Sequence, residues 1–374
     1  MKIHITLIGR EVLPTFYTIM EFQPDVTYII GTRDSKESIK RIVRVLQQKG
    51  LKYKVRETQP VDVQATLSIC EGIHAGNGES CEYIYNLTGG TKPMAFGAMM
   101  CAQRHNAKMV YTDSMDCIDI TTSEHIPLSY KTDFNTLFVL QGQKLKKHEV
   151  YAPDAQRSQC ARDVETFIKE ERKAYDCIRR KYDSVKAEYN KNKVIPKRFG
   201  DKRCSYERNG NMAVVMYDDV EVFSSDYKDA FKMLFEGRWW ETLVADAVNE
   251  WSAGRYEIWT DVEFDSKSVS NAYGRSSKSL TKNEIDVLVN LGNTLLFIEC
   301  KSGKFDQNNI YKLSSVCKTY GSYKSKAVLV SFWSSPNKDR ADLLEKGREE
   351  NVEIIVSKND LAQRLTEIVE TLKV

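Results

Sequence analysis

The chain has 374 residues, of which 41% are hydrophobic and 10% aromatic, so it is long enough to build two domains with apolar cores. The net charge of +3 is nearly neutral, and no apolar run approaches roughly eighteen residues, so we expect neither a membrane span nor, given the strand-like start, a signal peptide. The nine cysteines are scattered, odd in number and without a C-x-x-C pattern, which argues against a zinc site or a disulfide framework and favours a reducing cytoplasm.

Up to residue 130 the chain alternates short β-rich runs with helical patterns. The runs predict strands over Ile3–Ile8, Val26–Ile30, Tyr53–Arg56, Glu82–Asn86, Met109–Thr112 and Ile118–Thr121. The segments between them predict helices over Ser35–Gln48, Val61–His74 and Pro93–His105. This alternation is typical of a mainly parallel sheet with helices on both faces, so we assign residues 1–148 to an α/β domain.

Residues 149–220 differ in character and are predicted to connect two domains. Ala161–Asn190 is polar with helical periodicity, and Lys191–Asn211 is a basic, glycine-bearing stretch that predicts a loop. Between Arg179 and Arg208 eleven Lys and Arg residues face four acids. Such a stretch either guides a polyanion or forms an ordinary solvated surface.

Residues 221–374 are predicted to form a second α/β domain. A helix is expected over Asp226–Trp251 and a strand over Arg255–Phe264, followed by a polar stretch from Asp265 to Lys282 and a hairpin. Helices and strands then alternate over Ile310–Tyr320, Ala327–Phe332, Asp339–Glu349, Val352–Val356 and Asp360–Leu372. All five histidines precede residue 150, so this domain has no imidazole for catalysis.

The hairpin consists of two apolar runs, Glu284–Val289 and Thr294–Lys301. Gly292-Asn293 suits a two-residue turn between them, since glycine tolerates the positive φ that such turns require. Because side chains alternate along a strand, one side of the hairpin is expected to be apolar. That side would consist of Ile285, Val287, Val289, Leu296, Ile298 and Cys300.

The other side of the hairpin carries charged residues at one end. The same register places Asp286 opposite Glu299 and Glu284 opposite Lys301. Hard cations such as Mg²⁺ bind through one or two carboxylates when a substrate phosphate completes the shell, and a nearby lysine can orient water or neutralise charge. A surface hairpin with a Glu–Lys pair is the simpler interpretation, but an Asp matched in register favours a metal site.

A second motif, Asn86-Leu-Thr-Gly-Gly-Thr-Lys-Pro-Met94, follows a predicted strand and opens a helix. The two glycines let backbone approach a ligand closely, and Pro93 suits the first helical turn. Free N–H groups and the helix dipole favour anions there, and Lys92 adds a positive charge. The spacing is not that of a Walker A loop.

Taken whole, this string resembles the signature of CRISPR-associated Rossmann-fold (CARF) domains. Asn283-Glu-Ile-Asp-Val-Leu and Ile298-Glu-Cys-Lys-Ser resemble the PD-(D/E)xK restriction-endonuclease-like fold. Together and in this order they resemble the CARF-nuclease effectors of type III CRISPR immunity. The resemblance implies a homodimer in which a cyclic oligoadenylate, tetra-adenylate rather than hexa-adenylate, binds across paired Rossmann-like CARF domains and switches on metal-dependent cleavage of DNA, RNA or both.

The resemblance also assigns roles to residues of the second domain. Asp286 and Glu299, with the backbone carbonyl of Cys300, would hold Mg²⁺ or Mn²⁺, and Lys301 would assist the attacking water. Gly237-Arg-Trp-Trp-Glu241 is similar to a helical Gly-x-Trp-x-Glu element of the family. Glu241 would then be a further acid at the site, although an exposed helical glutamate is the alternative.

For the cyclic ligand, the resemblance points to the glycine-rich string and to the loops after the first two strands. Ligands of open α/β sheets bind at that edge. The expected contacts are Gly9, Arg10, Glu11, Thr32, Arg33, Thr88, Gly89, Gly90, Thr91 and Lys92. Relatives often have Ser-x-Gln-x-x-Pro-Asn after the first strand, of which this chain keeps only Pro14. Ring size and contacts therefore stay open.

Three other functions can be weighed against the sequence. A sensor whose second domain only binds nucleic acid would be expected to lose Asp286, Glu299 or Lys301, and all three are present. A first domain that degrades its own cyclic ligand needs only suitable geometry there. A stand-alone repair nuclease would leave the glycine-rich string unexplained.

Overall fold

The computed structural model describes residues 1–113, 116–265, 283–321, 324–332 and 337–372, and these residues form three β-sheets with helices packed against them. The polar stretch expected from Asp265 to Lys282 lies, after Asp265, outside the described residues. Among the described helices, none combines the length and the hydropathy that a bilayer span requires.

The first sheet contains seven strands. They are β1 (Lys2–Leu7), β2 (Val26–Gly31), β3 (Tyr53–Glu57), β4 (Glu82–Asn86), β5 (Lys108–Asp113), β6 (Asp116–Asp119) and β7 (His125–Pro127). Their order is β3-β2-β1-β4-β5-β6-β7, with β1 to β5 parallel and the last two strands antiparallel. The prediction of a mainly parallel sheet is confirmed.

Helices cover both faces of this sheet. They are α1 (Leu13–Phe22), α2 (Lys36–Gln48), α3 (Val63–Asn77) and α4 (Lys92–Arg104). Leu67 of α3 and Met94 of α4 belong to the core on one face, and Phe16 of α1 and Ile42 of α2 to the core on the other. The sequence did not predict α1, because its residues 15–19 are all buried and leave no helical periodicity to read.

A connecting region follows, with three helices, a single separate strand and a four-stranded antiparallel sheet. In chain order it contains α5 (Phe134–Gln141), β8 (Leu145–Val150), α6 (Ala155–Glu170), α7 (Arg172–Asn192), β9 (Arg198–Gly200), β10 (Cys204–Asn209), β11 (Met212–Tyr217) and β12 (Val220–Ser225). The sheet has the order β12-β11-β10-β9. The predicted loop over Lys191–Asn211 is therefore wrong. The buried apolar residues of β9 and β10 are Phe199, Cys204 and Tyr206, which share one side of the sheet. Charged residues between Phe199 and Cys204 interrupt the alternation that would have predicted two strands.

The third sheet forms the second α/β domain, as predicted. Its remaining strands are β13 (Glu257–Phe264), β14 (Glu284–Asn290), β15 (Leu295–Lys301), β16 (Lys326–Ser331) and β17 (Val352–Val356). Its helices are α8 (Ala230–Glu236), α9 (Arg238–Ser252), α10 (Gln307–Tyr320), α11 (Asn337–Glu349) and α12 (Leu361–Leu372). The strand order is β17-β16-β15-β14-β13-β8, so β8 is an edge strand of this sheet and the boundary predicted at residue 148 falls inside it.

Helix α5 joins the first domain to the third sheet. Its Leu140 belongs to the core beneath α1 and α2, whereas Phe134 and Phe138 pack with Trp259 of β13. The segment before α5 also touches the hairpin turn, where Thr132 N–H donates to the Gly292 carbonyl at 3.0 Å. The core of the first domain and the hairpin turn are thus connected by one short stretch of chain.

Candidate active site

The hairpin turn forms where the sequence predicts it. Gly292 has a φ of 111°, and Leu291 N–H donates to the Thr294 carbonyl at 2.9 Å across the turn. From there Val289 pairs with Leu296 and Val287 with Ile298, which is the predicted register. The glycine-asparagine turn and the apolar alternation together determine this pairing.

The charged end of the hairpin differs from a regular ladder. Beyond Val287, the next described contact between the strands is a hydrogen bond of 2.6 Å from the backbone N–H of Cys300 to Oδ2 of Asp286. Glu284 pairs with Glu263 of β13, and the described pairing of β14 with β15 stops at Val287 and Ile298, before the expected pair of Glu284 with Lys301. The expectation that Ile285 shares a face with Val287 is wrong, since Ile285 belongs to the other core layer with Leu288.

Lys301 contacts Glu299 directly. Its Nζ lies 2.6 Å from Oε1 of Glu299, whose side chain is only 9% exposed, and Lys312 of α10 lies 3.9 Å from the same oxygen. Burial alone would lower the pKa of Lys301, but the Glu299 carboxylate outweighs it and raises the pKa overall. Lys301 is therefore a fixed ammonium group beside the acid.

The start of α9 brings Glu241 to the same place. Gly237 ends α8 with a φ of 85° and admits the turn between the helices, since a Cβ there would lie 2.8 Å from Ser302 Oγ. Trp239 and Trp240 are buried, and Trp240 Nε1 donates to the Val330 carbonyl at 3.0 Å. With the two tryptophans anchored, Glu241 faces the charged end of the hairpin and lines the same cavity as Asp286.

Three charged residues at the site escaped sequence reasoning. Arg238 lies 3.2 Å from Oε2 of Glu241 and also forms a short ion pair with Asp261 of β13. Asp261 has a positive φ of 50° at an irregularity in the β13 pairing, and Lys147 of β8 lies 3.6 Å from its Oδ2. The only signal in the sequence was a polar Thr-Asp step within an apolar strand.

Electrostatics at the site favour a divalent cation. Burial raises the pKa of Asp286 well above its ordinary range, and the Glu299 and Glu241 carboxylates raise it further. Burial also raises the pKa of Glu241 to about 7, against the opposing effect of Arg238. Carboxylates that repel one another in a poorly hydrated place are stabilised by a cation, and oxygen donors are what Mg²⁺ and Mn²⁺ prefer. The donor set therefore fits such an ion.

A small cavity of about 240 Å³ opens beside these acids. Asp286, Glu241 and Asp261 line it together with basic side chains from the connecting region and the second domain. Those basic residues are Lys147, Arg157, Lys232 and Arg238. Acids and bases thus meet in one cleft, an arrangement that can hold a phosphate next to a cation.

The first domain has its own, larger cavity of about 1880 Å³ at the predicted edge of the first sheet. Residues of both domains line it, including Lys40, Arg41 and Arg44 of α2. Of the predicted ligand residues, those on the lining are Gly9, Arg10, Glu11, Thr32, Gly90 and Thr91. Sequence reasoning missed the three basic residues of α2, which lie on a helix face that has the appearance of an ordinary solvated surface.

The other predicted ligand residues lie near this edge without lining the cavity. Thr88 Oγ1 donates to Asn86 Oδ1 at 2.5 Å and accepts from Thr112 N–H at 2.7 Å, so it braces the loop. Gly89 packs on β1, where a Cβ would lie 2.0 Å from the Leu7 carbonyl oxygen. Lys92 is exposed at the start of α4, and Arg33 forms an exposed ion pair with Glu57.

Comparison with protein families gives two matches. Residues 3–137 match the Card1 CARF domain, and residues 228–373 match the Card1-like endonuclease domain. Together these matches cover about three quarters of the chain. The chain belongs to the CARF nucleases. The predicted pairing of a CARF domain with a C-terminal nuclease domain is confirmed, and no curated protein sequence matches this CARF nuclease.

Solved structures share the whole architecture of this CARF nuclease. Can2 from Sulfobacillus thermosulfidooxidans, solved in complex with cyclic tetra-adenylate, aligns with a TM-score of 0.69 at 17% identity over 99% of each chain. Protein VC1899 from Vibrio cholerae aligns with a TM-score of 0.70 at 16% identity over 100% of this chain and 98% of its own. A type III CRISPR defence DNA nuclease activated by cyclic oligoadenylate aligns with a TM-score of 0.58 at 14% identity, over 97% of this chain and 51% of that one. These likenesses establish the fold.

Proposed function

We propose that this CARF nuclease is a divalent-metal-dependent endonuclease that a cyclic oligoadenylate switches on in type III CRISPR defence. The observation that carries the proposal is the convergence of Asp286, Glu299, Lys301 and Glu241 at the open end of one hairpin. A domain that only bound nucleic acid would have no use for carboxylates that repel one another.

Asp286 and Glu299 would hold Mg²⁺ or Mn²⁺, with the backbone carbonyl of Cys300 and a contribution from Glu241. When bound, such an ion polarises a phosphoryl oxygen and lowers the pKa of a coordinated water. The hydrogen bond from Cys300 N–H fixes one oxygen of Asp286. This contact orients the carboxylate without depending on the ion.

Lys301 would act as a hydrogen-bond donor rather than as a base. Its raised pKa keeps the ammonium group protonated at neutral pH, and Glu299 holds it on the reacting side. From there it can orient the attacking water or stabilise the charge that develops on the phosphoryl oxygens. Glu241 and Asp261, held by Arg238, complete the polar wall of the site.

The substrate would be DNA, RNA or both. Lys147, Arg157 and Lys232 line the cavity beside the acids. Lys147 is paired with Asp261 and Lys232 with Asp229, so Arg157 offers the most positive charge to a phosphodiester backbone. The basic stretch noted in the sequence contributes less than its count implies, because Lys181 pairs with Asp201 and Arg198 with Glu207. Backbone contacts of this kind do not select a base sequence.

The activating ligand would bind at the edge of the first sheet, in a homodimer. The glycine loop, the capped start of α4 and the basic residues of α2 suit a ring of phosphates. Tetra-adenylate is favoured, since the similar Can2 structure contains that ring. The contact of Thr132 with Gly292, together with the 2.6 Å bond from Asn290 Nδ2 to the Thr132 carbonyl, offers a route from this edge to the hairpin.

The central experiment is a cleavage assay with Mg²⁺ or Mn²⁺ on plasmid DNA and on single-stranded DNA and RNA. Each substrate is tested with cyclic tetra-adenylate, with cyclic hexa-adenylate and without ligand. We expect ligand-dependent cleavage that chelation abolishes and that Glu299→Gln lowers at least about 100-fold. The matched control is Glu263→Gln, a partly exposed acid on β13, two strands away from Glu299. Cleavage that survives chelation, or is equal in both variants, would contradict the proposal.

A second assay tests the ligand edge. Lys92→Ala should raise the ligand concentration for half-maximal activation by about tenfold, because one phosphate contact is lost, with little change in melting temperature. Lys52→Ala removes an exposed lysine away from this edge and serves as control. An unchanged activation curve for Lys92→Ala would remove that residue from the ligand site.

A further inference from the structure

A second group of metal-ligating side chains lies in the first domain, between α3 and α4 and apart from the nuclease site. One ring nitrogen of His74, one of His105 and the Sγ of Cys101 all lie within 4.8 Å of one another. Cys101 and His74 are buried, and the His105 side chain is 25% exposed, so an ion could reach the group from solvent.

The pattern behind this group is a repeated Cys-x-x-x-His spacing. Cys70 and His74 are one turn apart on α3, and Cys101 and His105 are one turn apart on α4. Residues at that spacing share a helix face, so each helix presents one thiol and one imidazole to the other. Cys70 interacts with Cys101 across the two helices, so a fourth donor lies next to the group of three.

Several contacts hold these side chains in place. His105 Nε2 lies 2.8 Å from Oε2 of Glu71, and Arg104 pairs with the other oxygen of that carboxylate at 3.1 Å. His74 Nε2 lies 2.9 Å from the Tyr85 hydroxyl, and the rings of His74 and His105 stack at 3.8 Å. A carboxylate on the outer nitrogen of a histidine is a common support for a metal-bound imidazole.

Close approach of the two helices makes the arrangement possible. Gly97 of α4 lies against α3, where an added Cβ would be 2.4 Å from the Val63 carbonyl oxygen. Donor atoms around a tetrahedral zinc lie roughly 3.3–3.8 Å apart, so the donors must move together by about 1 Å. The stacked rings of His74 and His105 must also rotate apart, because each imidazole nitrogen binds an ion in the plane of its ring. Thiolate and imidazole donors select zinc-like ions over Mg²⁺ or Mn²⁺.

We propose that Cys70, His74, Cys101 and His105 form a binding site for Zn²⁺ or a similar soft divalent cation that clamps α3 to α4. The absence of a C-x-x-C pattern argued against zinc. That pattern is typical of sites whose ligands lie close together on one loop, whereas here two helices each contribute a cysteine and a histidine. The clamped helix α4 begins at the glycine loop, so the ion would stiffen the support of the ligand edge. The proposal does not depend on nuclease activity.

The test uses full-length protein carrying Asp286→Asn and Glu299→Gln, so that the nuclease carboxylates do not contribute. Co²⁺ titration of the chelator-stripped protein should give one equivalent with tetrahedral d–d bands and a thiolate-to-cobalt charge-transfer band, which Zn²⁺ abolishes. Added Zn²⁺ should also raise the melting temperature. Absence of the charge-transfer band would overturn the proposal.

Variants in the same background assign the ligands. Cys101→Ser should remove the charge-transfer band or lower Co²⁺ affinity at least tenfold, and Cys70→Ser should weaken both. His105→Gln, at a partly exposed position that tolerates change, should also lower affinity at least tenfold. Cys117→Ser, a buried cysteine on β6, is the matched control and should bind as the parent does. The His105→Gln and Cys101→Ser variants are first shown to be folded by circular dichroism. If both then bind Co²⁺ as the control does, the proposed site is wrong.

Discussion

The two predicted binding regions are built on opposite electrostatic principles. At the edge of the first sheet, neutral hydrogen bonds among Asn86, Thr88 and Thr112 brace a glycine loop before any ligand arrives. At the end of the hairpin, Asp286 and Glu241 are half-buried close to each other, and partial burial and mutual repulsion raise their pKa values. The first region is preorganised, whereas the second depends on a cation to relieve its repulsion. A change in the first should therefore alter when the protein acts, and a change in the second whether it acts at all.

The largest effect is expected from Lys301→Ala. Removing the half-buried, protonated lysine beside Glu299 takes away the proposed donor to the reacting phosphate, so cleavage should fall by about 100-fold or more. Ligand binding to the first domain should be unchanged, as calorimetry with cyclic tetra-adenylate would measure. Lys304→Ala, an exposed lysine three residues along, is the control. If the Lys301→Ala protein cleaves as well as that control, the role proposed for Lys301 is wrong.

Gly89→Ala tests the preorganised region. Its Cβ would lie 2.0 Å from the Leu7 carbonyl oxygen, so the loop must move away from β1. We expect the ligand concentration for half-maximal activation to rise about tenfold and stability to fall by about 1–3 kcal/mol. Cleavage at saturating ligand should persist.

Gly76→Ala is the matched control for this change, since nothing lies within 4 Å of a Cβ at that helical position. It should leave activation unaltered. Equal activation curves for the two variants would mean that the glycine loop does not shape the ligand site.

The repulsion at the hairpin end should be visible as a pH dependence of stability in the metal-free protein. Because the pKa of Glu241 is raised to about 7, its contribution to stability is fully present below the unfolded-state pKa and is lost as the pH rises through 7. Between pH 5 and pH 8, in chelator, the wild type should lose on the order of 2 kcal/mol more than Glu241→Gln. Denaturant unfolding at the two pH values measures this difference, and equal losses would mean that Glu241 titrates normally.

The smallest effect concerns the contact between the two regions. Asn290 is buried, its Nδ2 donates to the Thr132 carbonyl at 2.6 Å and its Oδ1 accepts from Gly292 N–H at 2.8 Å. Asn290→Ala should cost about 1–3 kcal/mol and lower the stimulation by ligand several-fold without altering ligand affinity. Asn192→Ala, at an exposed position, is the control. Full stimulation in the Asn290 variant would exclude this contact from the activation route.

The sequence predicts the hairpin well because its signals are local. Gly292-Asn293 specifies the turn, and the alternation of apolar residues specifies the register that Val287 and Ile298 adopt. The parallel first sheet is predicted for the same reason, since strands β1 to β5 and helices α2, α3 and α4 each carry a local sequence pattern.

What the sequence does not predict depends on distant contacts. Asp261 reaches the site only because its strand bends at a residue with positive φ, and Arg238 only because Trp240 anchors α9 on β16. Ile285 changes core layer where the regular pairing between the hairpin strands stops. Neither a bend in a strand nor the end of a pairing has a sequence signature as clear as that of a turn.

The edge strand β8 determines what happens to the nuclease domain when the chain is cleaved. It lies near the start of the connecting region, yet it pairs with β13, and Phe134 and Phe138 from the preceding helix α5 cover part of the same core. A proteolytic cut after β8 would leave β8 and α5 with the fragment that contains the first domain. The nuclease fragment would then expose the edge of β13 and an apolar face. Damage to the chain should therefore inactivate the enzyme instead of releasing an unregulated one.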